Sequence, residues 1–442
     1  MKPIKLSIKA EAYDCYIYGS YIFFLMRDGR VLYCSYPKLM SILQHKYREY
    51  SGLIKIAFLR NDYYNSKAAE AFMEIPNMKD VLKSEWRRLS EQEDMVLEFD
   101  EIEDELELIC KLPSTPLDMK IYGMRMFIGC MTGMYEIRLR PSKYDLNPAE
   151  RETCFDGKVM HLNAKYGEIV LSLGFDGLAS ASIDVDGDKI TKVKDKGIVD
   201  GQSSKTCWAD TDIVNYSTPN NFSYYQNTTE ERSRAGQKKF WQKLETKKIV
   251  KFGENVYSME ELISGTSIDR RDILASFNSS EKSILQLRNG SIISYKIKEE
   301  LRHNNSMRPQ LSSRRVNIVA GEEIKGYGRL LSGTIVPKGL VLEFFDKVAL
   351  LQNSMVSVIE EEEVMKVRSF MNTYRFQDLL SITKMDAITL HALDTLDMLQ
   401  ERQSYRKSAA PAIPADVFDT LGDVSIASSK VKGDDENGEL PW

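Results

Sequence analysis

Short apolar runs separated by glycine turns recur along most of this chain and predict consecutive antiparallel strands. Residues 14–19 align with residues 118–123, and each segment runs from an aspartate through an apolar stretch to a Tyr-Gly pair. A third copy ends at Tyr166-Gly167 and is followed by the apolar run 169–173. Because glycine accepts the positive φ of a tight turn, each copy predicts a strand, a bend and a second strand.

The match continues downstream of the Tyr-Gly pairs. Gly29 and Gly133 follow their pairs at the same distance, and Asp176-Gly177 does so in the third copy. The second and third copies lie about the length of one four-stranded propeller blade apart. The sequence therefore predicts a mainly β fold, a β-propeller of roughly six or seven blades.

The run 169–181, with Ser180 after an Asp-Gly turn, resembles the repeats of WD-repeat β-propellers. No Trp-Asp dipeptide closes any copy, so the resemblance concerns architecture over about residues 5–370 and indicates no specific family. It implies radial blades whose strand edges are short and protected. Two separate β-sandwiches or barrels share the same alternation of strands and turns and stay open as the competing interpretation.

Three segments depart from the strand pattern. Apolar residues at helical spacing predict a helical insertion around 63–92, interrupted at Pro76. After the propeller domain, predicted over 1–373, an apolar face at helical spacing predicts C-terminal helices over 374–407. Residues 408–442 are rich in Ala, Pro, Ser and acidic residues, which predicts a flexible acidic tail.

Basic residues are concentrated in two places, an insertion predicted around 217–251 and a loop at 302–315. The insertion is predicted to begin as a long mobile loop, and its basic part covers 232–251. Cations beside aromatic residues can bind a nucleic-acid backbone or an acidic protein, or can form the solvated face of a helix between blades. The candidate partner-binding residues are Arg232, Arg234, Lys238, Lys239, Phe240, Trp241, Lys243, Lys247 and Lys248.

The composition and charge of the chain indicate which partners and which cellular compartment to expect. Apolar residues make up 43% and charged residues 28%, which is typical of a folded protein. The net charge of -5 is small for 442 residues, so any attraction to a polyanion has to be local. The six cysteines are scattered, and the first residues lack the pattern of a signal peptide. We expect an intracellular protein, cytoplasmic or, in a eukaryote, nuclear.

The sequence contains few residues or motifs that are typical of a catalytic site. The four histidines are far apart, neither His nor Cys residues occur at ligand spacing, and no phosphate-binding glycine loop appears. The sequence therefore predicts no metal, no cofactor and no catalytic residues. The leading hypothesis is a non-catalytic scaffold that binds other proteins in a multiprotein complex, without membrane contact. The alternatives are a nucleic-acid-binding component that uses the two basic segments and an enzyme with a central pocket.

Overall fold

Glycines with positive φ end the strands that the sequence repeats predict. Gly19, Gly123 and Gly167 have φ values of 62°, 56° and 75° and connect the first and second strands of three sheets. Gly29 and Gly177, with φ values of 84° and 89°, connect second and third strands. A side chain at these positions would strain the backbone. The repeat alignment is therefore confirmed as an alignment of equivalent sheets.

The computed structural model contains seven β-sheets, and the innermost strands of consecutive sheets are neighbours around a closed ring. This arrangement is a seven-bladed β-propeller, which confirms the predicted architecture and excludes two separate sandwiches. The residues that the structure describes are 1–59, 75–91, 94–141, 145–165, 167–184, 189–193, 201–209, 212–218, 221–232, 247–263, 266–279, 282–302, 310–323, 328–337, 339–352, 355–370, 373 and 376–394.

Three blades come from the first half of the chain, with strands named from the channel outward. Blade 1 contains β2 (Ala12–Tyr18), β3 (Tyr21–Met26), β4 (Arg30–Ser35) and β6 (Glu107–Lys111). Blade 2 contains β7 (Pro116–Tyr122), β8 (Arg125–Cys130) and β9 (Gly133–Pro141), with β10 (Leu146–Pro148) and β11 (Glu152–Asp156) both paired to β9. The described strands of blade 3 are β12 (His161–Lys165), β13 (Glu168–Ser172) and β14 (Leu178–Ser182).

Blades 4 to 6 are four-stranded antiparallel meanders. Blade 4 contains β15 (Lys205–Ala209), β16 (Asp212–Thr218), β17 (Asn221–Arg232) and β18 (Lys247–Ser258). Blade 5 contains β19 (Ile273–Ser279), β20 (Lys282–Leu287), β21 (Ser291–Arg302) and β22 (Gln310–Glu323). Blade 6 contains β23 (Leu330–Val336), β24 (Gly339–Phe344), β25 (Val348–Gln352) and β26 (Met355–Glu360).

Blade 7 closes the ring by combining strands from both ends of the described chain. It contains β27 (Lys366–Ser369), β28 (Leu379–Thr383), β29 (Ile388–Ala392) and β1 (Ile4–Lys9), in that order from the channel outward. β1 is antiparallel to β29, with Leu6 opposite Leu390. A fifth strand, β5 (Met95–Glu98), adds to β1 in parallel.

A buried ion cluster links this closing blade to blade 6. The carboxylate of Glu360 lies 3.0 Å from Nζ of Lys5, 3.1 Å from Nε2 of His391 and 3.3 Å from Nζ of Lys384. Burial alone would raise the pKa of Glu360, but His391 and Lys5 lower it to about 2. Since Lys5 belongs to β1, this cluster holds the closing strand in register.

The turns of the meanders divide the propeller into two faces. We call the face that carries the turns between second and third strands the upper face. The other turns within each blade, between first and second and between third and fourth strands, lie on the lower face, because successive strands are antiparallel. Each innermost strand therefore starts at the upper face.

The helices belong chiefly to the insertion between β4 and β6. They are α1 (Tyr36–Lys46), α2 (Ser51–Phe58), α3 (Met78–Glu91) and α4 (Asp100–Glu103), and α5 (Met259–Ile263) follows β18. α3 lies inside the predicted helical insertion 63–92, of which 63–74 is outside the described residues. Trp86 of α3 is fully buried and donates a hydrogen bond of 2.9 Å to the carbonyl of Lys2. No described helix has the length and apolarity that a membrane span needs.

The prediction of C-terminal helices over 374–407 is wrong for the part that the structure describes. β28 and β29 occupy this segment, so the propeller extends beyond residue 373 to Ala392. All ten residues of these two strands are buried. A strand that is buried on both faces has a continuous apolar run without alternation, which also contains helical spacings. The rest of that segment and the predicted tail 408–442 lie outside the described residues.

The predicted insertion at 217–251 also needs correction. Asn221–Arg232 and Lys247–Ser258 are the third and fourth strands of blade 4, rather than a loop inserted between blades. The segment 302–315 likewise contains the beginning of β22. Because β17 is rich in Asn, Ser and Thr, its composition indicates a loop, while its pairing with β16 and β18 makes it a strand.

We expect Leu6→Ala to destabilise the closed ring. β1 lies between β29 and β5, and the Leu6 side chain is fully buried, so its truncation leaves a cavity that costs about 2 to 5 kcal/mol. Urea unfolding followed by tryptophan fluorescence measures the change. Lys9→Ala, at the exposed end of the same strand, is the control and should cost less than about 0.5 kcal/mol. Equal effects of the two substitutions would contradict the buried role of β1.

Candidate functional site

Two aspartates that the sequence repeats align lie buried at the upper end of the central channel. Asp14 of β2 and Asp118 of β7 are each 2% exposed. A backbone amide holds each carboxylate, because Cys15 donates to Asp14 at 2.9 Å and Leu162 donates to Asp118 at 2.8 Å. The second of these bonds connects blade 2 to blade 3. Buried carboxylates require cations as well as amides, and these come from blade 7.

Arg368 of β27 bridges the two aspartates. Its Nε lies 2.6 Å from Oδ1 of Asp14, and its Nη2 lies 2.9 Å from Oδ1 of Asp118. Nη2 also donates to the carbonyl of Met119 at 2.6 Å. Lys366, two residues earlier on the same strand, contacts Oδ1 of Asp118 at 2.6 Å. One strand of the last blade therefore pairs with the first strands of blades 1 and 2.

The cluster shifts the titration of its members strongly. Burial alone would raise the pKa of Asp118, but Lys366, His161 and Arg368 hold it well below its usual range. Burial lowers the pKa of His161 to about 3, and the neighbouring Asp118 only partly opposes this shift. His161 is therefore neutral at pH 7, and its Nδ1 accepts a hydrogen bond of 3.4 Å from the amide of Thr206.

Polar contacts continue around the channel beyond these groups. Lys205, the first residue of β15, donates to Oγ of Ser332 on β23. Thr334 of β23 and Ser369 of β27 have hydroxyl oxygens 2.6 Å apart. These contacts join blade 4 to blade 6 and blade 6 to blade 7. Glu343 of β24 lies near Lys205 and Lys366, and burial raises its pKa.

Exposed apolar side chains lie on the upper face of several blades on one side of the channel mouth. Phe175, Phe345 and Met385 lie in turns between second and third strands and are 88%, 69% and 58% exposed. Met131 lies in the equivalent turn of blade 2, and Leu331 lies at the upper end of β23. These five residues belong to blades 6, 7, 2 and 3, so with blade 1 they span an arc of five consecutive blades. We call them the apolar arc.

Blade 1 contributes a cation to the same arc. Nη2 of Arg27, in the upper turn after β3, lies 3.0 Å from Sδ of Met365 and 2.8 Å from Sδ of Met385. Its Nε is buried and has no hydrogen-bond partner among the described residues. A guanidinium that contacts thioethers instead of carboxylates retains most of its capacity to bind an anion.

The predicted partner-binding residues lie elsewhere. Arg232 ends β17, while Lys247 and Lys248 begin β18, and in register Arg232 is opposite Lys247 and Glu231 is opposite Lys248. These strands extend toward the lower face, away from the channel mouth. The other predicted residues lie outside the described residues, and they are Arg234, Lys238, Lys239, Phe240, Trp241 and Lys243.

The channel cluster was missed in the sequence although one signal for it is present. An aspartate recurs at the same position of two predicted strands, three residues before an isoleucine that is itself buried, Ile17 in one strand and Ile121 in the other. A buried carboxylate implies a nearby cation. The partner could not be inferred from spacing, because Arg368 lies 354 residues from Asp14 and 250 from Asp118.

Within the described ranges, no group of three or more His, Cys, Asp or Glu residues is arranged to hold a metal ion. His161 and Asp118 approach each other, with Nε2 and Oδ2 3.8 Å apart, but both belong to the charge cluster described above. The geometry of the channel mouth is that of interlocked ion pairs beside exposed apolar side chains.

Comparisons with known proteins match the chain by structure only. No protein-family model matches it, and neither does any curated protein sequence. The WD40 β-propeller domain of Doa1 is 10% identical with a TM-score of 0.42, and the alignment covers 89% of this chain and 94% of that one. The β-propeller domain of Cps50 (Swd1) from Myceliophteria thermophila is 7% identical with a TM-score of 0.45, covering 89% and 100%. The seven-bladed fold follows from the strand pairing of the chain itself.

We expect Asp118→Asn to destabilise the protein by about 3 to 5 kcal/mol at pH 7, because it leaves Lys366 and Arg368 with too little negative charge. The folded-state pKa of Asp118 lies below the unfolded value of about 3.9. Its contribution is therefore present above that pH and is lost as the pH falls toward the folded-state pKa. Urea titrations should show the difference between wild type and variant shrinking below about pH 4.

Asp28→Asn is the matched control for this substitution. Asp28 pairs with Arg30 on the surface, and exposed pairs contribute about 1 kcal/mol or less. A difference between wild type and Asp118→Asn that stays constant from neutral to acidic pH would contradict the proposed charge pairing in the channel.

Proposed function

We propose that this propeller is a non-catalytic scaffold that binds a partner protein across its upper face. The observation that carries this proposal is the apolar arc, which lies on the same face as Arg27 and as the channel lysines Lys205 and Lys366. Large apolar side chains that are exposed together mark interaction surfaces, whereas single ones do not. Rigid blades support such a surface because little conformational entropy is lost on binding.

The arc favours a partner segment that carries both apolar and acidic side chains. Phe175 and Phe345 supply large aromatic contacts of the kind that dominate binding energies at interfaces. Arg27 supplies a guanidinium that no described carboxylate neutralises. A carboxylate of the partner placed between apolar contacts would be shielded from water there, which strengthens its attraction to the guanidinium. Two contacts of different chemistry give specificity as well as affinity.

The hypothesis of an enzyme with a central pocket receives less support from the same cluster. Acid–base catalysis needs pKa values near the working pH. The pKa of Asp118 is held well below its usual range and that of His161 is lowered to about 3, so both move away from neutrality. Glu343 moves toward it, because burial raises its pKa. The main pKa shifts are thus explained by the ion pairs of Asp118 and Arg368, which link the blades structurally.

A variant that carries Phe175→Asp and Phe345→Asp tests the proposal. Both side chains are exposed, so the changes should leave the melting temperature within about one degree, while each costs at least about 1 to 2 kcal/mol of binding free energy. Affinity capture from native cells, quantified by mass spectrometry, should show loss of a stoichiometric partner. The captured partner is then titrated against purified wild type and variant.

Met355→Asp is the matched control, because Met355 is 70% exposed but lies at the lower end of β26. It should retain the partner with unchanged affinity. Recovery of the same partner at the same stoichiometry by the double variant would refute the upper face as the binding surface, and so would loss of the partner in the control alone.

A further inference from the structure

Two hairpins extend past the lower face from adjacent blades. In blade 4, β17 pairs with β16 only as far as Tyr225, yet its pairing with β18 continues to Arg232. The continuing part, residues 227–232 paired with 247–252, forms the first ribbon. At about 3.3 Å per residue it extends about 20 Å beyond the inner strands of the blade.

The hairpin of blade 5 has the same construction. β21 pairs with β20 as far as Tyr295, and its pairing with β22 continues to Arg302. Residues 296–302 paired with 310–317 form the second ribbon, which also extends about 20 Å. Since β15 and β19, the innermost strands of the two blades, are neighbours, the ribbons leave the same face side by side.

The ribbons are basic in a protein that is acidic overall. Together they contain nine basic and four acidic residues, a net charge of +5, against -5 for the whole chain. The basic residues are distributed along the length of both ribbons instead of being confined to one point. They are Arg232, Lys247, Lys248, Lys251, Lys296, Lys298, Arg302, Arg314 and Arg315.

The strand register places one like-charge pair and one opposite-charge pair in each ribbon, the latter being Glu231 opposite Lys248 and Glu299 opposite Arg314. Arg232 is opposite Lys247 in the first ribbon, and Lys298 is opposite Arg315 in the second. Directly opposed like charges destabilise an antiparallel pair. An anion that binds beside the two like-charge pairs reduces the repulsion there, and the net positive charge of each ribbon favours a polyanion.

We propose that the two ribbons bind duplex DNA, with each ribbon contacting the phosphate backbone from the lower face. Basic residues spaced along about 20 Å match a ligand whose charges repeat along its length. A two-stranded ribbon fits the major groove of B-form DNA, which is about 12 Å wide, whereas the major groove of duplex RNA is too narrow and deep. An acidic protein segment would more often dock on apolar contacts such as those of the upper face.

Full-length protein and a fluorescent DNA duplex of random sequence provide the test. Fluorescence anisotropy should show binding whose affinity falls about a thousandfold between about 50 and 200 mM salt, as expected for some six neutralised phosphates. One variant carries Lys247→Gln, Lys248→Gln and Lys251→Gln, and another carries Lys298→Gln, Arg314→Gln and Arg315→Gln. Each should lower the slope of log affinity against log salt by about two to three.

A matched control removes the same amount of charge elsewhere. It carries Lys55→Gln, Arg87→Gln and Lys158→Gln, three exposed residues of the helical insertion and of the connection from blade 2 to blade 3. Its affinity and salt slope should equal those of wild type. Circular dichroism of all variants should remain that of the folded protein, because lysine or arginine to glutamine keeps a polar side chain of similar length.

Three results would overturn the proposal. They are the absence of binding at about 50 mM salt, unchanged binding by a protein that combines both triple substitutions, and tighter binding of single-stranded RNA than of duplex DNA. Competition by poly-glutamate as effective as competition by unlabelled duplex would assign the ribbons to an acidic protein segment instead. Loss of DNA binding in the ribbon variants with retention of the upper-face partner would support the two sites independently.

Discussion

The pairing of Arg368 with Asp14 and Asp118 is the interaction on which the architecture of this propeller depends. Two buried carboxylates from the first blades face a guanidinium from the last blade, and Lys366 beside it completes the charge balance. Isolated buried charges are costly, so other orders of the blades around the channel are disfavoured. The cluster thus selects the closed seven-bladed ring, while the apolar contacts between blades supply most of its stability.

This closed ring separates two surfaces of different chemistry. The upper face presents aromatic and thioether side chains beside cations at the channel mouth, whereas the lower face presents two basic ribbons. Because the blades lie between them, a ligand on one face does not compete sterically with a ligand on the other. The scaffold is therefore suited to join two partners of different chemical class, and each face can change without altering the ion cluster between them.

Local signals in the sequence predicted the blades well. Gly19, Gly123 and Gly167 mark turns because the backbone there needs positive φ, and that requirement is visible in the residue type. The helices predicted over 374–407 are wrong for the described part of that segment, because a doubly buried strand such as β28 has no alternation to distinguish it. β17 was missed because its polar composition indicates a loop, whereas its pairing with the neighbouring strands makes it a strand. The channel cluster needs contacts across hundreds of residues, which no window of sequence contains.

The position of β1 has a consequence for the order in which the protein acquires its structure. β1 leaves the ribosome before the other strands of the propeller, and β29, its antiparallel partner in blade 7, is synthesised some 380 residues later. At about 5 to 20 residues per second, this strand waits tens of seconds with the backbone groups of that edge unpaired. β5 emerges much earlier and pairs in parallel with the other edge of β1. The helical insertion that carries β5 can thus act as an internal chaperone, covering the closing strand until the last blade arrives.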